Sequence, residues 1–207
     1  MIKKRRTLLG LLASGLTYLI SSPAFTGNFL TPSQMVGPFY PDQIPLDHDN
    51  DLTRVGGHYG IANGEVSHLI GRDLNSLGQP IVDAKIEIWQ CDAYGQYNHP
   101  RDGGGQDPAF QGFGRTRSGS NGEYRFKTIK PVAYPGRAPH IHMCIVSGTT
   151  KLATQIYVEG ERLNNRDFIL NSIHDAEARN LLIVPFVPEP GYPSDELVAR
   201  FNPVVLA

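Results

Sequence analysis

Two short runs constrain the fold of this chain more than anything else in it. In Lys85-Ile86-Glu87-Ile88, and again in Glu123-Tyr124-Arg125-Phe126, every second side chain is apolar. That is the period of a strand with one face in a core and the other in water. Further β-rich runs start at Glu65 ("EVSHLIGRDLN"), His140 ("HIHMCIV"), Leu152 ("LATQIYV") and Glu196 ("ELVARFNPVVL"). Turn signals such as "SLGQP" and "SGTTK" separate them. A helix is expected only around "DAEARNLL", with Asp175 as its cap. The 22 glycines and 16 prolines provide the many turns that such a chain needs. The pattern predicts an all-β fold, an antiparallel β-sandwich in a single domain with extensions.

The extensions lie at the N-terminal end. Residues 1–24 combine Lys3, Lys4, Arg5 and Arg6 with a short apolar run and a small-residue site at Ser22–Ala24, the make-up of an export signal. Adjacent arginines followed by Thr7, Leu8 and Leu9 resemble a twin-arginine signal, so the expected location is periplasmic or secreted. Its removal takes away four positive charges and no acids, moving the formal charge from -1 to -5. A mildly acidic mature chain offers no basic surface for nucleic acid or anionic membrane. Residues 25–64, rich in Pro, Gly and Asp, read as an extended arm laid over residues 65–207, which hold the sandwich. Within the sandwich, Ala93–Gly122 reads as one long glycine-rich loop, and loops of that length in a compact domain are usually functional or disordered.

The chemistry gathers in "YPGRAPHIH", residues 134–142. On a strand, His140 and His142 project to one face while Ile141 faces the other way. Two imidazoles so placed can grip one metal ion, or they can be surface histidines on an edge strand. Tyr97, Tyr134, Arg137 and Gln155 are the other candidates. Two histidines with two phenols would form a hard, anionic donor set suited to Fe(III) better than to Cu(I) or zinc. Cys91 and Cys144 fall in expected core strands. An oxidising compartment permits a bridge between them, and a free buried cysteine serves equally well as a small hydrophobe.

Three runs, "GRDLNSLGQPIVDAKIEIWQCDAYGQYNH", "GFGRTRSGSNGEYRFKTIKPVAYPGRAPHIHMCI" and "TKLATQIYVEGE", with "GPFYP" upstream, resemble the intradiol ring-cleavage dioxygenases. The likeness is greatest to the protocatechuate 3,4-dioxygenase branch and extends from about Thr31 to Val205. It implies a β-sandwich enzyme with non-haem Fe(III) held by Tyr97, Tyr134, His140 and His142. It implies a catechol-type substrate, opened by O2 between its two hydroxylated carbons to a cis,cis-muconate. Tyr134 is then the ligand that gives way to substrate, Arg137 the cation facing charge that builds on the ring, and Gln155 its hydrogen-bonding partner. Pairing with a homologous subunit, or self-association, is also implied.

The sequence departs from that pattern in two places. The segment from Tyr134 to His140 is short and lacks a tryptophan common in the branch, which implies a more open site mouth. Tyr94 is a rival for Tyr97, and its distance from Asn98-His99 argues against it. A different class of protein shares the Gly/Pro sandwich texture: metal-free secreted binding modules of the transthyretin-like kind. These lack an ordered Tyr, Tyr, His-x-His set.

Overall fold

The computed structural model describes residues 30–206; the expected export signal at 1–24 lies outside them. Ten strands follow one another: β1 (Val66–Arg72), β2 (Leu74–Asn75), β3 (Lys85–Trp89), β4 (Phe113–Arg117), β5 (Glu123–Ile129), β6 (His140–Ser147), β7 (Thr150–Val158), β8 (Ile183–Val184), β9 (Leu197–Arg200) and β10 (Val204–Val205). They form sheets ordered β5-β1-β9 and β4-β3-β6-β7-β8, with β10 paired to β2. Among the described residues the one α-helix, α1 (Ala176–Asn180), is capped as expected. The Asp175 carboxylate accepts from the backbone N–H groups of Glu177 and Ala178.

Alternation builds the core between the two larger sheets. Leu69 and Phe126 from one sheet meet Ile86, Ile88, Ile141, Met143, Ile145 and Ile156 from the other, all fully buried. The central pairs β3–β4, β3–β6, β6–β7 and β1–β5 are antiparallel. Three other pairings are not: β9 runs parallel to β1, β8 to β7 and β10 to β2. The expectation of a purely antiparallel sandwich is therefore corrected to a mixed one. Long connections return the chain to these edges, and such connections permit parallel pairing where tight hairpins forbid it.

Two further corrections have physical causes. The stretch Ala93–Gly122 is not one loop, because β4 lies inside it. Gly114 at its second position and the three polar residues after it weaken the strand signal, yet β4 pairs with β3 along five residues. Secondly, β3 is not half-buried. Glu87, on the face expected to meet water, is 1% exposed. Residues 30–64, which contain turns, bends and an isolated bridge at Asp51, cover that face. Val36, Phe39, Tyr40 and Ile44 pack there against Trp89, Tyr97, Phe113 and Cys144 as a second apolar cluster. Glu87 is compensated by Arg115 (Nη2 at 2.7 Å), Lys85 (3.1 Å) and the Tyr40 hydroxyl (3.1 Å). Cys91 and Cys144 are buried and free, with Cys91 just beyond the end of β3. Among the described residues no helix is long and apolar enough to cross a membrane.

Asp73, between β1 and β2, is fully buried, and neither carboxylate oxygen has a hydrogen-bond partner. Burial pushes its pKa up to about 7. The folded state therefore holds a proton that the unfolded chain releases near pH ~4. The associated stability is complete below pH ~4 and is lost as pH rises through about 7. Asp73→Asn, which keeps the shape without the charge, should be more stable than wild type at pH 8 by up to roughly 3 kcal/mol. The gap should close toward pH 5. Urea unfolding at both pH values is the check, and equal differences at the two would contradict it.

Candidate metal centre

Register brings the site together on the face of the large sheet that the arm covers. β6 places His142 beside Trp89 of β3 and Gln155 of β7, and His140 beside Tyr157. The Trp89 ring stacks on His142 at 4.8 Å between centroids, 6° from parallel, fixing the imidazole plane. His140 Nδ1 lies 2.6 Å from the Ala138 carbonyl. A carbonyl only accepts, so Nδ1 carries the proton and Nε2 keeps its lone pair. That Nε2 sits 3.2 Å from His142 Nε2. Backbone of the arm closes over them: a Cβ on Gly37 would fall 3.2 Å from His142 Cε1.

The two tyrosines arrive from loops. Tyr134 opens the turn Tyr134-Pro135-Gly136-Arg137, closed by the Arg137 N–H to the Tyr134 carbonyl at 3.0 Å. Proline second and glycine third with φ +81° suit a type II turn. Tyr97 follows a loop tied down by Asp92, whose Oδ1 accepts from the N–H groups of Tyr94 and Gln96. The Tyr97 and Tyr134 rings meet edge to face at 5.6 Å. Tyr134 lies 5.5 Å from the His140 ring, and Tyr97 lies 6.3 Å from His142. Phe39 of the arm stacks on Tyr97 at 4.5 Å. Tyr94 is exposed and takes no part.

The electrostatics keep both imidazoles uncharged. Burial, then the charge of Arg137, lowers the His140 pKa to about 4. Burial, then His140, holds His142 well below its ordinary value. Both imidazoles are neutral at physiological pH and able to act as ligands. The Tyr97 hydroxyl is buried, and burial followed by Tyr134 raises its pKa well above the usual phenol value. Tyr134 is half-buried and raised too, chiefly by burial. Two phenols that resist ionisation by themselves, facing two imidazole lone pairs, fit a strongly charged cation that takes their protons' place. Among the described residues no group of three His, Cys, Asp or Glu could hold a metal, so the donors on offer are these mixed ones.

Arg137 is held from four sides. Nε donates to Asp167 Oδ2 at 2.8 Å, Nη2 to Gln155 Oε1 at 2.5 Å and to the Tyr157 hydroxyl at 3.3 Å, and Nη1 to the Tyr134 hydroxyl at 3.5 Å. Gln155 in turn donates from Nε2 to the Met35 carbonyl of the arm at 3.1 Å. Asp167, fully buried, also accepts from the N–H groups of Ala138, Ile169 and Leu170. Burial pushes its pKa up, but Arg137 and these backbone donors outweigh it and hold the carboxyl below its usual range. All six residues singled out in the sequence thus lie in one neighbourhood. Asp167, Trp89, Tyr157 and Phe39 were missed. Asp167 ahead of "FILN" has the look of a turn cap, but nothing local announces a partner thirty positions away.

The sandwich thus carries His140, His142, Tyr97 and Tyr134 on one face beside a clamped arginine, and comparison with known proteins shows its family. Residues 35–205 match the family model described as Dioxygenase. The chain belongs to the intradiol ring-cleavage dioxygenase family. The protocatechuate 3,4-dioxygenase beta chain of Burkholderia cepacia is 39% identical over 156 residues, 70% of this chain and 65% of that protein. Hydroxyquinol 1,2-dioxygenase of Corynebacterium glutamicum is 29% identical over 168 residues, 72% of this chain and 52% of that enzyme. The chain therefore spans about half to two thirds of the length of these relatives. An intradiol ring-cleavage dioxygenase structure from Tetranychus urticae superposes with a TM-score of 0.68 at 22% identity, over 86% of this chain and 95% of that one. At that identity the likeness concerns the fold.

The ion pair gives a stability prediction. Asp167→Ala would leave a buried guanidinium and three backbone N–H groups unpaired. Removing one partner of a buried pair typically costs about 3–5 kcal/mol. Urea unfolding should show a loss of that size, and a loss under 1 kcal/mol would mean that the pair is dispensable.

Proposed function

We propose that this chain is a non-haem Fe(III) intradiol dioxygenase acting with O2 on a catechol-type, protocatechuate-like diol, to give a cis,cis-muconate. The observation that carries the reading is the approach of the two imidazole Nε2 atoms to 3.2 Å, with the Tyr134 ring 5.5 Å from that of His140 and the Tyr97 ring 6.3 Å from that of His142. Tyr97, Tyr134, His140 and His142 would hold the metal. Bound there, ferric iron supplies Lewis acidity that draws electron density from a catecholate and makes its ring reactive toward O2.

The protein's own residues do the rest. Tyr97, 2% exposed and stacked under Phe39, is the ligand that stays. Tyr134, half-buried at the open side, would be the more accessible of the two tyrosine donors, and its oxygen is placed to take a proton from an incoming diol. Arg137 donates toward that same oxygen and so presents its charge where negative charge accumulates on the reacting ring. Asp167 and Gln155 keep the guanidinium plane from turning away. The arm keeps water from the imidazoles. The signal-like make-up of residues 1–24 supports a location outside the cytoplasm. Similarity to both the beta chain and the alpha chain of the Burkholderia cepacia enzyme, 39% and 31% identical, supports self-association or pairing with a homologous subunit.

Purified, iron-loaded protein should be red-brown from tyrosinate-to-iron charge transfer, and Tyr97→Phe should weaken or shift that visible band. A colourless protein with stoichiometric zinc would contradict the assignment. Arg137→Leu, assayed in the cold because Asp167 loses its partner, should retain iron and colour. Its oxygen uptake should fall on the order of a hundredfold. Loss of iron, or wild-type turnover, would refute the role given to Arg137. N-terminal sequencing of native protein should begin near Phe25, and an intact Met1 in a cytosolic fraction would overturn the location.

A further inference from the structure

A line of oxidisable side chains leads from the centre out into the arm. The Trp89 ring stacks on His142 at 4.8 Å and 6° from parallel. Tyr40 of the arm meets the same indole edge to face at 5.0 Å. Trp89 is the chain's single tryptophan and is 1% exposed; Tyr40 is half-buried, so part of its ring is in solvent. The Tyr40 hydroxyl donates to Glu87 Oε2 at 3.1 Å. The two cations beside Glu87 both use its other oxygen, Oε1: Arg115 at 2.7 and 3.0 Å and Lys85 at 3.1 Å. Oε2 is thus left to the phenol. Packing requires none of this. A phenylalanine at position 40 would fill the same space, and burying a carboxylate is costly even when it is paired.

We propose that Trp89 and Tyr40 form a hole-transfer relay that draws oxidising equivalents away from His142 toward the surface, with Glu87 as the proton acceptor. The oxidants concerned are one-electron oxidants of the hydroxyl-radical class, formed where hydrogen peroxide meets a redox-active metal. Such an oxidant takes one electron from Trp89 and becomes hydroxide. The indole N–H is buried and meets no acceptor among the described residues, so the oxidised ring keeps its proton and remains a strong oxidant. An electron from Tyr40 refills it, and the phenol O–H bond breaks as its proton crosses to Glu87 Oε2, within reach of proton transfer at 3.1 Å. Trp89 is then restored, Tyr40 is a neutral phenoxyl radical and Glu87 is a carboxylic acid. Burial, then the charge of Glu87, pushes the Tyr40 pKa up to about 12, so the group starts as a phenol and needs that acceptor. A soluble reductant of the thiol class returns one electron at the solvent side of Tyr40, the proton crosses back, and the relay is reset.

Transfer along the relay does not depend on the dioxygenase reading, and the experiment separates the two. In full-length protein, with iron and without it, a laser pulse at the red edge of indole absorption, beyond that of tyrosine, ionises Trp89. The visible band of the tryptophan radical should decay as the sharp near-ultraviolet band of a tyrosyl radical rises, and more slowly in D2O because an O–H bond breaks. In Tyr40→Phe, which keeps the ring and its packing, the tyrosyl band should be lost and the tryptophan radical should persist. A tyrosyl band of unchanged size in Tyr40→Phe would send the hole elsewhere, to Tyr97 for example, and overturn the relay. Equal rates in H2O and D2O would overturn the role of Glu87. Iron-loaded protein is then exposed to hydrogen peroxide in the dark and digested. Mass spectrometry should find more oxygen added to Trp89 and His142 in Tyr40→Phe than in wild type, and equal addition would overturn the protective function. Transfer under the laser in a protein that consumes no oxygen with any catechol would uphold the relay and refute the dioxygenase reading.

Discussion

The buried pair between Arg137 and Asp167 is the interaction on which the rest of the site depends. Taking two charges out of water is costly, and the return is adequate only when every remaining donor and acceptor is used. Here they nearly all are. Asp167 accepts from the guanidinium and from three backbone N–H groups, and Arg137 also reaches Gln155, Tyr157 and Tyr134. The pair joins four pieces of chain: the turn before β6, the middle of β7, the turn at Asp167 after β7 and, through Gln155, the arm at Met35. One electrostatic knot thus fixes the position of a charge relative to the imidazoles to within a hydrogen bond.

The large sheet serves two cores. One face, with Ile86, Ile88, Ile141 and Met143, closes the sandwich; the other, with Trp89 and Cys144, is closed by the arm. A sheet buried on both faces has no slack for slipping. A one-residue shift of β6 would send His140 and His142 into the aliphatic core and put Ile141 and Met143 under the arm. The spacing of the two histidines and the stability of the fold are therefore enforced by the same alternation.

Much of this was legible in the sequence, for reasons that vary by residue. The central strands announced themselves because side-chain alternation is a local property. His140 and His142 could be placed on one face by counting, and their joining with Tyr97, Tyr134, Arg137 and Gln155 was readable only through family resemblance, since loops bring the tyrosines in. Strand β4 was hidden by Gly114, and the parallel edges by the fact that direction is set by long connections. Glu87 misled because a charged side chain in an alternating run normally marks water, whereas here the arm brings Tyr40 to meet it. Asp167 was invisible because its partner is thirty positions away and no periodicity links the two.

The arm's position over the imidazoles governs exchange as well as shelter. His140, His142 and Tyr97 are each at most 2% exposed, and the covering chain is itself stitched down. The Gln34 N–H bonds to the Ala153 carbonyl at 2.8 Å, the Tyr157 hydroxyl donates to the Gln34 side chain at 3.3 Å, and the Thr154 hydroxyl donates to the Pro32 carbonyl at 2.8 Å. On that side an ion held by the imidazoles would be shut in by the stitching. Its escape past the arm would follow how often residues 30–64 lift, so the rate of exchange there would be a property of the fold and not of the donors alone.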